Sequence, residues 1–356
     1  MNWLARYLPR LWYRARLAWP LWLLLPFSWL FRGISAVRRG LFRSGCLHSR
    51  QLPVPVIVVG NLTVGGSGKT PFVIWLVSQL RARGWRPGVI SRGYGGQKIA
   101  AGSADGMGGV MAVVPDTPAA LAGDEPVLLA RRCQAPVYVG RDRAAAGEAL
   151  LAAHPQCNVI IADDGLQHYR LRRCAEVVMF DGRGVGNGHL LPAGPLREPL
   201  MRLRGATAIV WNCAPECHFP GELPPQFSMH LAAGDFYALH DPNVHCPAAA
   251  LRGRRLHALA GIGDPRRFFA QLATLGLEFT EHPFPDHHRY TLADLDFARD
   301  GVLLMTEKDA VKCAALPVHE AWDEAWVLPV DAQFDDEDAP QLLRLLVEKL
   351  DGCTPA

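Results

Sequence analysis

The chain has 356 residues, enough for two domains, and 49% of them are hydrophobic, which supplies packed cores and excludes a wholly disordered protein. Its net charge of +3 conceals an asymmetry: fifteen of the 37 basic residues precede the first acidic one, Asp105, which leaves 22 basic against 34 acidic residues in the remainder. A basic N-terminal part on an otherwise acidic protein points to an anionic membrane surface or to nucleic acid.

The apolar residues between those arginines favour the membrane. Residues 1–44 hold Trp3, Trp12, Trp19, Trp22 and Trp29 among leucines and phenylalanines. Leu4, Leu8, Leu11, Ala15 and Trp19 share one helical face, with Arg6, Arg10 and Arg14 to one side. That suits an interfacial helix with aromatic rings at headgroup depth. The uncharged stretch 17–31 is short for a bilayer span, and Pro20 and Pro26 are expected to interrupt it. No Ala-x-Ala-like site follows, which argues against a cleaved signal peptide. A nucleic-acid arm has no use for so many leucines, so no nucleic-acid partner is expected; protein partners stay open.

The next element is an apolar strand at 54–59. It leads into Gly65-Gly66-Ser67-Gly68-Lys69-Thr70 and then a helix at 71–83. Strand, glycine-rich turn and helix in that order form the context of a phosphate-binding loop. Its backbone N–H groups turn around an anion, and the helix start adds partial positive charge. Lys69 is expected at the β- and γ-phosphates of ATP and the Thr70 hydroxyl at Mg²⁺. Thr63 stands where the usual pattern has its first glycine, and Val64 stands where one ATPase subclass carries a second lysine.

Strands at 87–90, 135–139, 159–162, 177–180 and 208–211 alternate with helices at 125–132 and 143–153, predicting a parallel sheet covered on both faces. The strand at 159–162 ends in Asp163 and Asp164, and a carboxylate at such a tip holds Mg²⁺ or its waters in phosphate-loop enzymes. Gly123-Asp124-Glu125-Pro126 opens a helix, where Asp124 serves either as an N-cap or as the group that accepts a hydroxyl proton. Two loops, Ser91-Arg92-Gly93-Tyr94-Gly95 and Gly140-Arg141-Asp142-Arg143, offer arginines to phosphate. The Gly- and Pro-rich run 184–199 is a long loop of the kind that carries function; its Arg197 is expected at phosphate and its Glu198 at metal.

Residues 212–250 look like a connection with some irregular strands. A second α/β unit follows: strands at 256–260, 278–284, 302–306 and 325–330, and helices at 265–275 and 340–350. Asp286-His287-His288 ends one strand, and His287 reads as a base, a proton relay, a ligand or an ordinary histidine. The nine cysteines show no framework spacing. Cys213, Cys217 and His218 lack a second ligand pair, so free thiols in a reducing cytosol are expected.

Taken together, the motifs at 60–71, 91–95, 123–126, 163–168, 191–199, 286–288 and 306–309 resemble the tetraacyldisaccharide 4'-kinase family, the lipid A 4'-kinases of Gram-negative bacteria, over nearly the whole chain. The resemblance implies transfer of the ATP γ-phosphate to the 4'-hydroxyl of a tetraacyl disaccharide 1-phosphate, at the cytoplasmic face of the inner membrane. It implies an α/β fold with a phosphate-loop α/β/α core, a smaller α/β/α lobe joined by a two-stranded linker, and an N-terminal membrane-associated helix. The corresponding divisions are 1–44, 45–225 and 226–356. By the same resemblance Asp124 pairs with His287 in catalysis, and Lys69, Thr70, Asp163 and Asp164 serve ATP and Mg²⁺. Arg141, Gln167, His168, Asn187, Arg197 and Glu198 line the substrate site. The competing readings are a membrane-associated phosphate-loop switch and a non-enzymatic membrane module. A GTPase switch would carry Asn-Lys-x-Asp, and Thr306-Glu307-Lys308-Asp309 has its lysine in the wrong place.

Overall fold

The computed structural model describes residues 3–14, 16–93, 109–214, 217–314, 316 and 324–353. Tyr94 and Gly95 of the first basic loop and Ala15 of the N-terminal face lie outside them, as do the side chains of residues 3–7.

The N-terminal segment is helical. Helix α1 (Trp3–Trp12) leads to a 3₁₀ turn (Trp19–Leu24), which runs directly into α2 (Leu25–Arg43). Pro20 and Pro26 do not interrupt this run. Each sits at the first positions of its helix, where its missing N–H has no partner to lose. The run Trp19–Arg43 is therefore 25 residues, long and apolar enough by length and composition to cross a membrane, and only 11% of its most apolar stretch is buried. Trp19, Trp22, Leu23, Phe27, Trp29, Leu30, Ile34 and Val37 are exposed on it. A continuous apolar surface of this kind marks an interaction face.

Eight strands then follow: β1 (Val56–Gly60), β2 (Pro87–Ser91), β3 (Val110–Val113), β4 (Val137–Gly140), β5 (Val159–Asp163), β6 (Ala175–Asp181), β7 (Ala208–Asn212) and β8 (Gln226–Ala233). The chain next builds a second sheet from β9 (Phe236–Ala238), β10 (His245–Cys246), β11 (Leu256–Ala260), β12 (Thr280–Pro283), β13 (Val302–Thr306) and β14 (Ala325–Leu328). It returns to the first sheet as β15 (Val330–Phe334). The first sheet has the order β15-β8-β7-β6-β1-β5-β2-β4-β3 and the second β10-β9-β14-β13-β11-β12. Central pairs are parallel in both; β3, β15, β9 and β10 add antiparallel edges.

Strict alternation explains why β1 is central. Ile57 and Val59 enter the core on one face, with Phe72, Leu76 and Leu80 of α3 (Lys69–Ala82). Val56 and Val58 enter the core on the other, with Ala144, Ala146 and Leu150 of a helix at Arg143–Ala153. Only a strand covered on both faces accepts an unbroken apolar run.

The expected α/β class, with two lobes and an N-terminal helix, is observed. The division at 225/226 does not follow sheet membership, however. β8 and β15 pair antiparallel at the edge of the first sheet, and the closing helix Asp338–Asp351 buries Leu342, Leu343, Leu346 and Leu350 in the first core. The stretch read as irregular holds the eight-residue β8, and the single strand expected at 325–330 is split between two sheets at Pro329. Cys174 and Cys353 depart from the expected free thiols: they are disulfide-linked across 179 residues, because the closing helix ends beside the start of β6.

Candidate active site

The phosphate loop is shaped from several directions. Asn61, fully buried, donates from Nδ2 to the Gly65 carbonyl (3.0 Å), and Val64 N–H donates to the Pro195 carbonyl (2.9 Å). Gln167 Nε2 donates to the Asn61 carbonyl (3.2 Å), so this expected substrate residue also supports the loop. Gly65, Gly66, Ser67, Gly68, Lys69 and Thr70 border a cavity of about 220 Å³ reaching the second lobe. Lys69 Nζ lies 3.2 Å from Asn61 Oδ1 and 3.5 Å from Asp164 Oδ1, at the rim of a larger cleft of about 830 Å³.

The two tip carboxylates differ. Asp163 is buried; its Oδ2 accepts from Ser91 Oγ (3.3 Å), while Oδ1 has no hydrogen-bond partner among the described residues. Burial, reinforced by negative Glu125, pushes its pKa up to about 7. Asp164 turns out of the strand with φ 48° and meets Lys69 and Arg197 (3.1 Å). Burial opposes its ionisation, but these two cations hold it below the usual carboxylate range.

Asp124 opens the helix Asp124–Arg132 at the first sheet's edge, and His287 comes from the loop after β12 in the second lobe. Their side chains meet, His287 Nδ1 to Asp124 Oδ2 at 3.0 Å, across 163 residues of sequence. Asp124 also accepts from Glu125 N–H through Oδ1 (2.9 Å), but it is the first residue of the helix and not its N-cap, a position that Gly123 takes without a side-chain bond. Burial raises the Asp124 pKa, but the His287 hydrogen bond and the Lys308 charge outweigh it and hold it at about 2. The same hydrogen bond raises His287 above its ordinary 6.5. A raised histidine stabilises the fold fully below its unfolded pKa and loses that contribution as pH rises through its folded one. The stability gap between the parent and His287→Gln is therefore expected to be widest near pH 6 and to shrink toward pH 9. Thermal unfolding at both pH values checks this, and a gap that widens with pH would exclude the charged pair.

The arginine loop contributes in two ways. Both Arg141 and Arg143 line the cleft; Arg143 is largely buried there and donates to the Asp164 carbonyl (3.4 Å) and the Arg141 carbonyl (3.3 Å). Burial lowers the Arg143 pKa to about 10. His168 also lines the cleft and accepts from the Arg143 N–H (3.3 Å); burial and Arg143 pull its pKa down to about 4, so it is neutral. Arg197 lines the cleft as expected.

Two expected residues take other places. Asn187 is not brought to the cleft: its Nδ2 donates to the Ala193 carbonyl (2.9 Å) and its Oδ1 accepts from His189 N–H (3.1 Å). Glu198 reaches the cleft wall but is joined to Tyr169 (2.5 Å), Arg202 and Arg39 of α2 (3.5 Å each), which occupies it away from the tip carboxylates. The loop holding both is a dock for the N-terminal segment. Trp12 Nε1 donates to Pro192 O (3.0 Å), Ser28 Oγ to Leu190 O (2.8 Å), and Asn187 N–H to Trp12 O (2.7 Å). A side chain at Gly186 would stand 2.5 Å from the Trp12 carbonyl. The glycines thus serve close backbone approach.

Sequence reasoning assigned no role to Lys308 or Glu125, which form an ion pair across the lobes on the cleft wall. Lys308 lowers the Glu125 pKa and is itself raised. The signal was present in Thr306-Glu307-Lys308-Asp309, whose other members are structural: Asp309, fully buried, accepts from Tyr290 (2.9 Å), Thr306 (2.6 Å) and Gly261 N–H.

A model of the family LpxK, described as tetraacyldisaccharide-1-P 4'-kinase, matches residues 20–350. The tetraacyldisaccharide 4'-kinase of Dechloromonas aromatica (strain RCB) is 54% identical over 353 residues, covering 98% of each chain. That of Azoarcus sp. (strain BH72) is 51% identical over 329 residues, 91% of each. Among solved structures, the "apo" form of LpxK from Aquifex aeolicus in complex with ATP superposes with a TM-score of 0.76 at 30% identity, covering 93% of this chain and 99% of that one. With Lys69 of its phosphate loop, the tip carboxylate Asp164 and His287 of the cross-lobe pair lining one cleft, the chain belongs to the tetraacyldisaccharide-1-P 4'-kinase family.

Proposed function

We propose that this cleft transfers the γ-phosphate of ATP to the 4'-hydroxyl of a tetraacyl disaccharide 1-phosphate presented at a membrane. The observation that carries this reading is that Lys69, Arg141, Arg197 and His287, the partner of Asp124, line one cleft whose wall also includes Phe31, Ile34, Ser35, Arg38 and Arg39 of the apolar helix α2. A lipid headgroup met at the interface accounts for that wall, and its phosphate for the arginines. The membrane surface meant is the cytoplasmic face of the bacterial inner membrane, where ATP is available.

Among the described residues the Oδ1 of Asp163 and the buried Ser67 hydroxyl have no hydrogen-bond partner, which suits a cation–phosphate pair beside the loop. Thr70, Asp163 and Asp164 would hold Mg²⁺; Glu198, already bound to two arginines, does not fit. Mg²⁺ there supplies charge neutralisation on the phosphates. Lys69 and the loop N–H groups bind the phosphates. With His287 protonated, Asp124 is the ionised group available for the hydroxyl proton as its oxygen bonds to phosphorus and the bond to ADP breaks. A loose transition state asks little of this base until late. Closure of the lobes, bridged by Glu125–Lys308, would exclude water and limit ATP hydrolysis. A switch protein has no use for a cross-lobe Asp–His pair facing its phosphate loop, so that alternative is not favoured.

The test is label transfer from γ-labelled ATP to tetraacyl disaccharide 1-phosphate by the detergent-solubilised chain with Mg²⁺. Labelled lipid is the expected result. ATP hydrolysis with no labelled lipid would refute the acceptor.

A further inference from the structure

We propose that Arg183 is a positioning residue for the phosphate loop, and that through it the docking of the N-terminal segment and of the second lobe sets nucleotide affinity. The inference rests on ATP binding to that loop.

Arg183 lies just beyond β6, outside the residues assigned to chemistry above. Its Nη2 donates to the Gly66 carbonyl (3.0 Å), in the middle of the loop. Its Nε and Nη2 grip Asp181 at 2.7–3.1 Å, and Asp181 is buried at the end of β6. The guanidinium is thus aimed by a buried carboxylate, and a planar fork with two faces occupied leaves it little freedom. Gly65 makes room for it: with φ 113°, a side chain there would be strained and would stand 3.3 Å from Nη2. The glycine therefore serves the arginine as well as the turn.

Two other parts of the molecule end on the same group. Tyr13 of the N-terminal segment lies under the guanidinium, 4.8 Å from ring centre to Cζ, and donates its hydroxyl to the Val64 carbonyl (3.2 Å). Arg267, on the helix Pro265–Thr274 of the second lobe, reaches Asp181 at 3.0 Å. Segment, loop, first sheet and second lobe are joined through Tyr13, Arg183, Asp181 and Arg267. Loss of the Gly66 contact frees a carbonyl that Arg183 otherwise holds, and the loop's N–H groups lose their common aim. The membrane-docked segment then acts on ATP without touching it.

Arg183→Lys keeps Asp181 paired but cannot reproduce the fork or the stacking. In the full-length, detergent-solubilised chain it is expected to bind ATP about tenfold more weakly by titration calorimetry, the loss that follows removal of one charge-assisted hydrogen bond. The KM for the lipid and the melting temperature are expected to stay near the parent's. Tyr13→Leu is expected to weaken ATP in the same direction, by about threefold, with loss of the ring face. Parent-like ATP affinity in Arg183→Lys would overturn the proposal. So would a lower melting temperature with ATP and lipid affinity falling together, which marks general loosening. A Tyr13→Leu effect confined to the lipid KM would overturn the link to the N-terminal segment. Calorimetry needs no turnover, so a parent chain that labels no lipid would refute the proposed acceptor and leave this comparison intact.

Discussion

Lys69→Ala is expected to lower kcat/KM about 10³-fold, roughly 4 kcal/mol of transition-state stabilisation, the scale for losing one preorganised group at the site of developing charge. The fold is expected to survive. Lys69 is the first residue of α3, its partner Asp164 keeps Arg197 at 3.1 Å, and Asn61 keeps its contact with Gly65. Asp164 is thus not left without a cation, which is the usual route to collapse on removing one half of an ion pair, and Asp163, whose pKa burial already raises, can take a proton instead. Label transfer and thermal unfolding of the same preparation decide the matter. Turnover within a few-fold of the parent would take Lys69 out of the reaction and leave Gly65–Thr70 a structural turn.

Asp124→Asn is expected to lower kcat by about 10²-fold or more while ATP affinity holds, as loss of a positioned proton acceptor does. The amide keeps the shape and an oxygen for Glu125 N–H, but it cannot take a proton or hold His287 charged. Asp124 has no contact with the phosphate loop among its hydrogen bonds, so ATP binding has no reason to change. An unchanged kcat would reduce Asp124 to a helix start. A parallel rise in the ATP KM would place its effect on nucleotide binding instead.

Much of this site was legible because it is local. The loop at 65–70, the carboxylates after β5 and the acidic helix start at Asp124 each lie within a few residues of the strand or helix that aims them. Two misreadings have local causes as well. Pro20 and Pro26 were counted as breaks, although proline at a helix start costs nothing. The expectation that the run 184–199 is a ligand loop fails for its glycine-rich first part, though Arg197 does line the cleft, since glycine and proline report an unusual backbone path without reporting what approaches it. What approaches is Trp12, and this occupies Asn187 with its own loop.

Other features had no local signal. β8 draws its pairing from β7 and from β15, a hundred residues later, so its own weak pattern did not identify it. Glu198 looked like a free carboxylate beside Arg197, but the fold delivers Arg39, Tyr169 and Arg202 to it. Cys174 meets Cys353 only because the last helix packs on the first sheet.

By itself the sequence determined the parallel α/β core, the phosphate loop with Lys69 and Thr70, and the apolar, arginine-flanked N-terminus. Period-two burial, glycine turn geometry and charge asymmetry act over a few residues and need no partner. The tertiary structure alone decided that His287 meets Asp124 across 163 residues, that Lys308 faces Glu125, and that the N-terminal segment reaches the phosphate loop through Tyr13 and Arg183. The two cross-lobe meetings depend on where β8 and β15 let the chain leave the first sheet and return, and the third on the docking of the N-terminal segment against the loop around residues 187–192.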